Sequence, residues 1–546
     1  ILHRERGGPI HRYVYEHDAL GARVVEQHNE GGLSYYFRYH DTENRVSVRD
    51  SLDREDHYQF EGEGGLKRLI CHTQADGSQI TYTYGRHGRK IAETDPLGRK
   101  TRYQYDGPGR LTELHTPDGA QQQWSYDTET GLLISYTDVA ERQTYYRYDT
   151  YGRLIESQTP DGITRYGYPD PQQQPLIAEQ PIEITDPTGK SRHLAYNTAG
   201  QLIAYTDCSG HTQRYQHDGW GDLIQITNPA GHSTHYERNE QGQLISLTQA
   251  DGSKTDYHYN VKGQLIGLTH PNGQSAQLTR DTQGRITQQQ QGGETLQFDY
   301  DSAGRITRLV NENGAAMAFR YDVMDRLIEE HAFDGRQTRY HYDQAGQLIR
   351  REQHSQGEQR ISHYRYDKGG QLIKHQIEDS NSQVLHTQCF GYDAAGRLRF
   401  AEDHKPVSAL PHETNEQTRT SRVQYHYNDA GYLTQETQLL DREGQKIHRH
   451  HLVHRYTALG DRSHTYFEDL GKLQHSYYGP GHTHGLLLDE QELIAFERDA
   501  QHREIERRLL NGLNEQRGLD LLGRMIVQQT QGDSALSRHY HYNSLG

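Results

Sequence analysis

The sequence predicts an all-β protein, a single long antiparallel β-sheet of tandem hairpins that coils into a tube or shell. Three observations predict it. A short pattern recurs: two alternating aromatic residues, an Asp or Asn, a Gly three residues later, then Arg or Gln and a branched apolar residue. Tyr103-Gln104-Tyr105-Asp106 with Gly109-Arg110-Leu111 is one copy, and Tyr146-Arg147-Tyr148-Asp149 with Gly152-Arg153-Leu154 is the next clear one. The spacing is regular: from Tyr196 the second aromatic position falls at His217, Arg238, Tyr259, Arg280, Tyr300, Tyr321 and Tyr342, in steps of 20 or 21 residues. Pro and Gly punctuate the chain about every ten residues, which no helical period survives. A recurring unit decides the architecture before length or composition does.

Within one unit, Thr101-Arg102-Tyr103-Gln104-Tyr105 alternates residue by residue and is rich in strand formers. Asp106-Gly107-Pro108-Gly109 is turn chemistry, the Asp opening the turn and the Gly supplying a positive φ. Arg110 to His115 is the return strand, and Thr116-Pro117-Asp118-Gly119 turns again. This second turn has its own pattern, repeated at Asp95-Pro96-Leu97-Gly98, Asp186-Pro187-Thr188-Gly189 and Asn228-Pro229-Ala230-Gly231. Each unit therefore holds two short strands and two tight turns, and strands joined this way are antiparallel neighbours. Some 40 strands at ~4.8 Å give a ribbon roughly 190 Å wide. A ribbon of that width curls, splits or closes. Propeller blades need four strands in about 40–45 residues, which two units match, but neighbouring units show no two-unit alternation.

The chain divides into divergent repeats at 1–80, regular repeats at 81–168, a Pro/Gln-rich interruption at 169–190, regular repeats at 191–400, and stretched, degenerate repeats at 401–546. All are expected to form one continuous shell. The polar segment from Glu402 to Thr420 is placed as a loop or plug, and Leu486 to Glu497 as a divergent strand pair or a short helix. The chain starts at Ile1 rather than Met and stops inside a repeat, Tyr540 to Gly546, so further sequence is expected on both sides.

Composition narrows the function. There are 40 Tyr and 54 Gly but 9 Phe and 2 Trp, so aromatic content argues against disorder despite a low apolar share. The net charge of −16 disfavours a nucleic-acid partner. Scattered lysines make no polybasic membrane anchor, and no apolar run reaches the ~20 residues of a membrane helix. Cys71, Cys208 and Cys389 are too few and too far apart for a disulfide framework.

Candidate chemistry was sought in the histidines of His448 to His454 and His482-Thr483-His484, and in carboxylates such as Asp53/Glu55/Asp56 and Glu61/Glu63. With 36 His, chance clusters are expected, and the sequence assigns no catalytic, cofactor or metal residue. Each motif position has a structural job. The tyrosines are expected to stack as a ladder with their hydroxyls free for solvent or a partner. The Asp caps the turn, the Gly bends it, and the Arg faces an acidic neighbour across the hairpin. These structural residues are Tyr105, Asp106, Gly109, Arg110; Tyr148, Asp149, Gly152, Arg153; Tyr300, Asp301, Gly304, Arg305; and Tyr392, Asp393, Gly396, Arg397.

An array on Tyr-x-Tyr-Asp-x-x-Gly-Arg-Leu resembles the YD-repeat, or Rhs, family, from about Tyr13 to Gly546, and within it the core of bacterial Rhs polymorphic toxins. The resemblance implies a spiralling β-sheet forming a hollow shell around a C-terminal toxin domain. It also implies an N-terminal plug or loading domain, a type VI secretion spike and chaperone as partners, and a cytoplasmic origin followed by secretion or injection into a competing cell. No nucleic acid, cofactor or membrane contact is implied for these residues, and no enzymatic activity. The family's self-cleaving Asp-Pro-x-Gly end is expected beyond Gly546; Asp95 to Gly98 and Asp186 to Gly189 sit mid-array as ordinary second turns. The alternative is a YD-repeat adhesion module binding glycan or protein through exposed tyrosines.

Overall fold

The computed structural model describes residues 2–4, 10–18, 21–407, 417–442, 445–479, 481–531 and 535–542. Forty-eight strands, from β1 (Leu2–Arg4) to β48 (Leu536–His539), form one sheet. Each strand pairs antiparallel with the next in sequence, so the sheet is an uninterrupted meander. Apart from three 3-10 turns, at Asp41–Glu43, Gly64–Leu66 and Pro175–Ile177, the described residues hold no helix. None is therefore long and apolar enough to cross a membrane.

The regular unit pairs a six-residue strand with a five-residue one, such as β10 (Lys100–Tyr105) and β11 (Leu111–His115). The described residues hold 48 strands rather than some 40, and those of the stretched repeats run to 10–12 residues. Along β10, Thr101, Tyr103 and Tyr105 are half-buried while Lys100, Arg102 and Gln104 are exposed, the alternation that a strand imposes. Among the described residues no second layer covers either face, the buried apolar residues are Ala92, Ala178, Ala276 and Ala495, and no large side chain is fully buried. The accessible surface is 32469 Å², against about 20,000 Å² for a compact monomer of this mass. A solid particle does not reach such an area; a single-layer wall does.

The wall curves for a local reason. The ladder shifts register at the second aromatic position of almost every repeat: at Tyr105, Tyr126, Tyr148, Tyr259, Tyr300 and Tyr392, and equally at His217 and Arg238 where the aromatic is replaced. Each shift is a β-bulge, and bulges bend a strand and increase its twist. One bulge per unit bends the sheet steadily in the same sense.

The bending brings the ribbon back onto itself. Side chains meet backbone and side chains 248 to 295 residues away. Arg99 Nη1 donates to Gln347 Oε1 at 3.0 Å, Arg142 Nη1 to the Ala430 carbonyl at 3.0 Å, and Gln283 Nε2 to the Glu30 carbonyl at 3.0 Å. Lys190 Nζ donates to the Gly479 carbonyl at 3.1 Å, and Arg54 pairs with Asp325. In every case the second turn of an earlier repeat meets the turn that follows the aromatic pair of a later one, whether Asp-x-x-Gly as at Asp343 to Gly346 or a variant as at Asn428 to Gly431. Successive windings thus stack rim to rim along a seam, 23 to 25 strands apart. Some 24 strands at ~4.8 Å make a circumference of about 115 Å and a backbone diameter of about 37 Å. Side chains fill ~5 Å on the inner face, leaving a bore of about 27 Å. The described strands complete two windings.

Three local readings take definite form. The 169–190 interruption does not break the sheet: β16 (Gly162–Gly167) pairs with β17 (Glu183–Thr185), and Tyr168 keeps the motif role through its hydroxyl on the Leu154 carbonyl. Of residues 402–420, 402–407 and 417–420 are facing ends of two long strands, β37 (Leu398–Val407) and β38 (Gln417–Tyr427), and the rest of that expected loop or plug, 408–416, lies outside the described residues. Leu486 to Glu497 is a strand pair, β43 (His482–Leu488) with β44 (Gln491–Arg498), closed by Asp489 and Glu490 at positive φ. The last residues of the final copy, Asn543 to Gly546, also lie outside the described residues.

Candidate functional site

The repeated turn is built from its carboxylate outward. In Asp106, Oδ1 accepts from the backbone amides of Gly109 and Arg110 at 2.8 Å each, and Oδ2 accepts from Arg110 Nε at 2.7 Å. Asp149 with Arg153, Asp301 with Arg305 and Asp393 with Arg397 repeat the Oδ2 contact at 2.7 Å. The fourth turn residue is left-handed, with φ of 106° at Gly109 and 85° at Gly304, where a Cβ is strained. The acid that the arginine faces across the hairpin is thus the Asp of its own turn, and Arg305 meets Asp325 of the following one as well, at 2.6 Å. Burial by itself raises the Asp149 carboxyl. The hydrogen bonds from the Arg153 side chain and from the amides of Arg153 and Tyr151 outweigh it and hold the group below the ordinary carboxylate range. Asp301 and Asp393 are depressed in the same way.

The arginine also links one turn to the next. Arg305 lies over the Tyr321 ring at 4.7 Å, and its Nη1 reaches the Asp322 carbonyl at 3.4 Å. Arg110 over Tyr126 and Arg397 over Tyr427 are equivalent. Where Gln replaces Arg, its amide reaches the glycine carbonyl of the following turn, as from Gln201 to Gly221.

The tyrosine differs from expectation. The second Tyr of the motif donates its hydroxyl to the carbonyl at the start of the preceding strand. Tyr105 bonds Lys90 and Tyr148 bonds Leu133, at 2.8 Å each, as Tyr300 bonds Ile286 and Tyr392 bonds Leu372. That end of the strand pair has no hairpin, so the phenol staples it. Where the preceding motif carries Arg, as for Tyr126, Tyr300, Tyr321 and Tyr427, the neighbour on the ring is a guanidinium rather than another tyrosine; Tyr432 and Tyr456 stack at 4.8 Å. The hydroxyls of these second tyrosines are occupied within the wall rather than free for solvent or a partner.

Most of the candidate acids and histidines make ordinary wall contacts, but His482 stacks on His502 with ring centroids 3.9 Å apart. Asp53 pairs with exposed Arg49, and Asp56 with His72 at 3.0 Å. His451 and His454 meet Thr437 and Thr465. Cys71, Cys208 and Cys389 are free thiols. Among the described residues, the group of ligand-type side chains that does converge is Asp207, His211 and His502. Sequence spacing missed it because 295 residues separate Asp207 from His502.

Comparison with known proteins agrees with this geometry. Residues 87–121, 196–234, 217–254 and 238–275 match the RHS Repeat family, and 273–351 match the Teneurin YD-shell family. These stretches of the chain are therefore Rhs and YD-shell repeats, and the matches cover about a third of its length. It is 35% identical to toxin protein Tse5 of Pseudomonas aeruginosa over 204 residues, 37% of this chain and 15% of that protein. It is 26% identical to double-stranded DNA deaminase toxin A of Burkholderia cenocepacia over 298 residues, 50% of this chain and 19% of that protein. The chain thus spans less than a fifth of these relatives. Its fold is similar to the Photorhabdus luminescens Tc holotoxin pore structure, with a TM-score of 0.54 and 14% identity over 96% of this chain and 31% of that one.

Proposed function

We propose that these residues are the wall of a toxin shell, which encloses a toxin domain lying C-terminal to them and carries it to a competing or target cell. The observation that carries the proposal is the single-layer sheet closing into two stacked windings around a bore of about 27 Å. A wall with no core of its own has little reason to close except around contents. The relatives support the cargo's class, since the proteins it is similar to are named as toxins. A folded 100-residue domain has a radius of gyration near ~13 Å, so two windings of this bore suit a small domain or an incompletely folded chain.

The rest follows as part of this proposal. The four stretches of repeats and the 169–190 interruption act as one continuous wall, and the Tyr, Asp, Gly and Arg of each motif are its fasteners rather than catalytic groups. A plug or loading domain on the N-terminal side, with a type VI spike and chaperone, delivers a protein made in the cytoplasm. The test is protease protection of the full-length protein. The toxin domain is expected to resist protease while native and to be digested once the shell is opened with acid. Equal digestion of the toxin domain in both states would overturn the proposal.

A further inference from the structure

Two turns of the seam break the repeat pattern in complementary ways. In Asp207-Cys208-Ser209-Gly210-His211, a histidine stands where Arg follows the glycine in turns such as Asp95 to Arg99. In Asp499-Ala500-Gln501-His502-Arg503, a histidine stands where the glycine belongs, and it keeps the left-handed backbone with φ of 62°. Ordinary turns place a flexible glycine there, so His502 holds a backbone position unfavourable to a side chain. Asp325, at φ of 63°, is another non-glycine in this position, and its side chain also crosses the seam, to Arg54.

The two histidines meet on one carboxylate. Asp207 Oδ1 caps its own turn, accepting from the Ser209 and His211 amides at 2.8 and 2.9 Å. Its Oδ2, the atom that Arg Nε takes elsewhere, faces His502 Nε2 at 2.8 Å and His211 Nδ1 at 3.7 Å. The His211 Nδ1 atom is buried and has no hydrogen-bond partner. On the far side of His502, Nδ1 lies 3.0 Å from the Tyr478 hydroxyl. The side chains of Asp207 and His502 are only 11% and 13% exposed.

We propose that Asp207, His211 and His502 form a divalent transition-metal site that clips the second winding to the first. Two ligands about 2.0–2.1 Å from a tetrahedral ion lie roughly 3.3 Å apart, between the two separations at Oδ2. Two imidazoles and a carboxylate suit zinc, nickel, cobalt or copper(II) rather than calcium or magnesium. With Nε2 of His502 on the ion, its Nδ1–H donates to the Tyr478 oxygen, the outer contact that fixes a ligand ring. Three protein ligands leave one position for water. Binding releases any proton held on the two imidazoles, and no redox change is involved.

The variants for the test restore the repeat pattern and so preserve folding. His502→Gly reinstates the turn glycine, and His211→Arg reinstates the arginine beside its Asp. Tag-free protein is titrated with Zn²⁺, with the thermal transition followed in parallel. Wild type is expected to bind one ion that both variants lose or bind at least about tenfold more weakly. X-ray absorption at the zinc edge is expected to show two imidazole ligands. Melting of wild type, but not of His502→Gly, is expected to rise with zinc. Equal zinc affinity and stoichiometry in wild type and both variants, or no zinc bound by wild type, would overturn the site and leave only an Asp207–His502 ion pair.

Discussion

At the scale of the residue, the unit of stability is the Asp–Arg turn. Asp281 and Arg285 are a clean instance, with Oδ2 to Nε at 2.6 Å and the guanidinium over Tyr300 at 4.8 Å. The chain itself shows the neutral equivalent: Asn197 with Gln201, Asn239 with Gln243 and Asn260 with Gln264, joined amide to amide at 2.7 to 2.9 Å. Asp281→Asn alone and Arg285→Gln alone are each expected to cost about 1–2 kcal/mol, because each strands a charge. The double variant recreates a natural turn and is expected to cost less than the singles combined. Amide exchange at Gly284 and Arg285 reads this locally, which matters because a repeat array need not melt in two states.

The tyrosines give a second expectation at this scale. Burial foremost, then Asp56, pushes the Tyr58 hydroxyl up to about 12, and burial with Glu330 does the same at Tyr340. Tyr148 and Tyr342 are raised too. A group whose folded pKa is raised contributes stability below its unfolded value that is lost as pH rises through the folded one. An ultraviolet phenolate titration is therefore expected to show a population, Tyr148 and Tyr342 among it, that ionises only above the ordinary phenol range and as the sheet opens. A single transition near 10 with the sheet intact would contradict the hydroxyl staple. The turn itself was legible at this scale, since Asp, Gly and a tight hairpin are local chemistry. The hydroxyl's partner was not, because the Leu133 carbonyl sits on another strand, 15 residues from Tyr148.

At the scale of the element, the hairpin carries both its direction and its curvature. The alternation of Tyr103 and Tyr105 showed a strand, and the Pro-Asp-Gly turn at 117–119 showed its end. The bulge at Tyr105 was invisible, because a bulge is a relation between strands: Tyr105 faces Leu111 while Gln104 faces Glu113. The two turn types lie on opposite rims, so register along the array counts in whole units. Duplicating the full unit 233–253 keeps every later strand's direction and is expected to leave the protein soluble and folded. Inserting one strand with one turn reverses every strand after it, puts Asp-x-x-Gly turns on the wrong rim, and is expected to cause aggregation. Soluble yield and amide circular dichroism of the two insertions test this.

At the scale of the molecule, the seam makes a shell out of a ribbon. Its composition is turn residues: Arg99 on Gln347, Arg142 on the Ala430 carbonyl, Arg326 on Asp76 at 3.4 Å. No periodicity announces which turns meet, since the match depends on how many bulged hairpins complete one circuit. The ribbon width was legible, and so was the need to close; the number of windings was not. Acid should open this assembly. Asp138, Asp149, Asp301 and Asp393 have depressed carboxyls, burial opposing and hydrogen bonds from the partner arginine prevailing. Such groups contribute stability above the unfolded carboxylate value of about 3.9 that is lost as pH falls through their lower folded values. Exchange at the turn amides is expected to accelerate together below about pH 4, with the strand-centre amides following.

The most direct measurement is a cryo-electron-microscopy map of the purified protein. The expected map is a hollow spiral, two stacked windings of about 24 strands each, about 37 Å across between backbones, with turns of one winding seated on turns of the next. A solid particle with two packed sheets, or radial four-stranded blades around an axis, would contradict it.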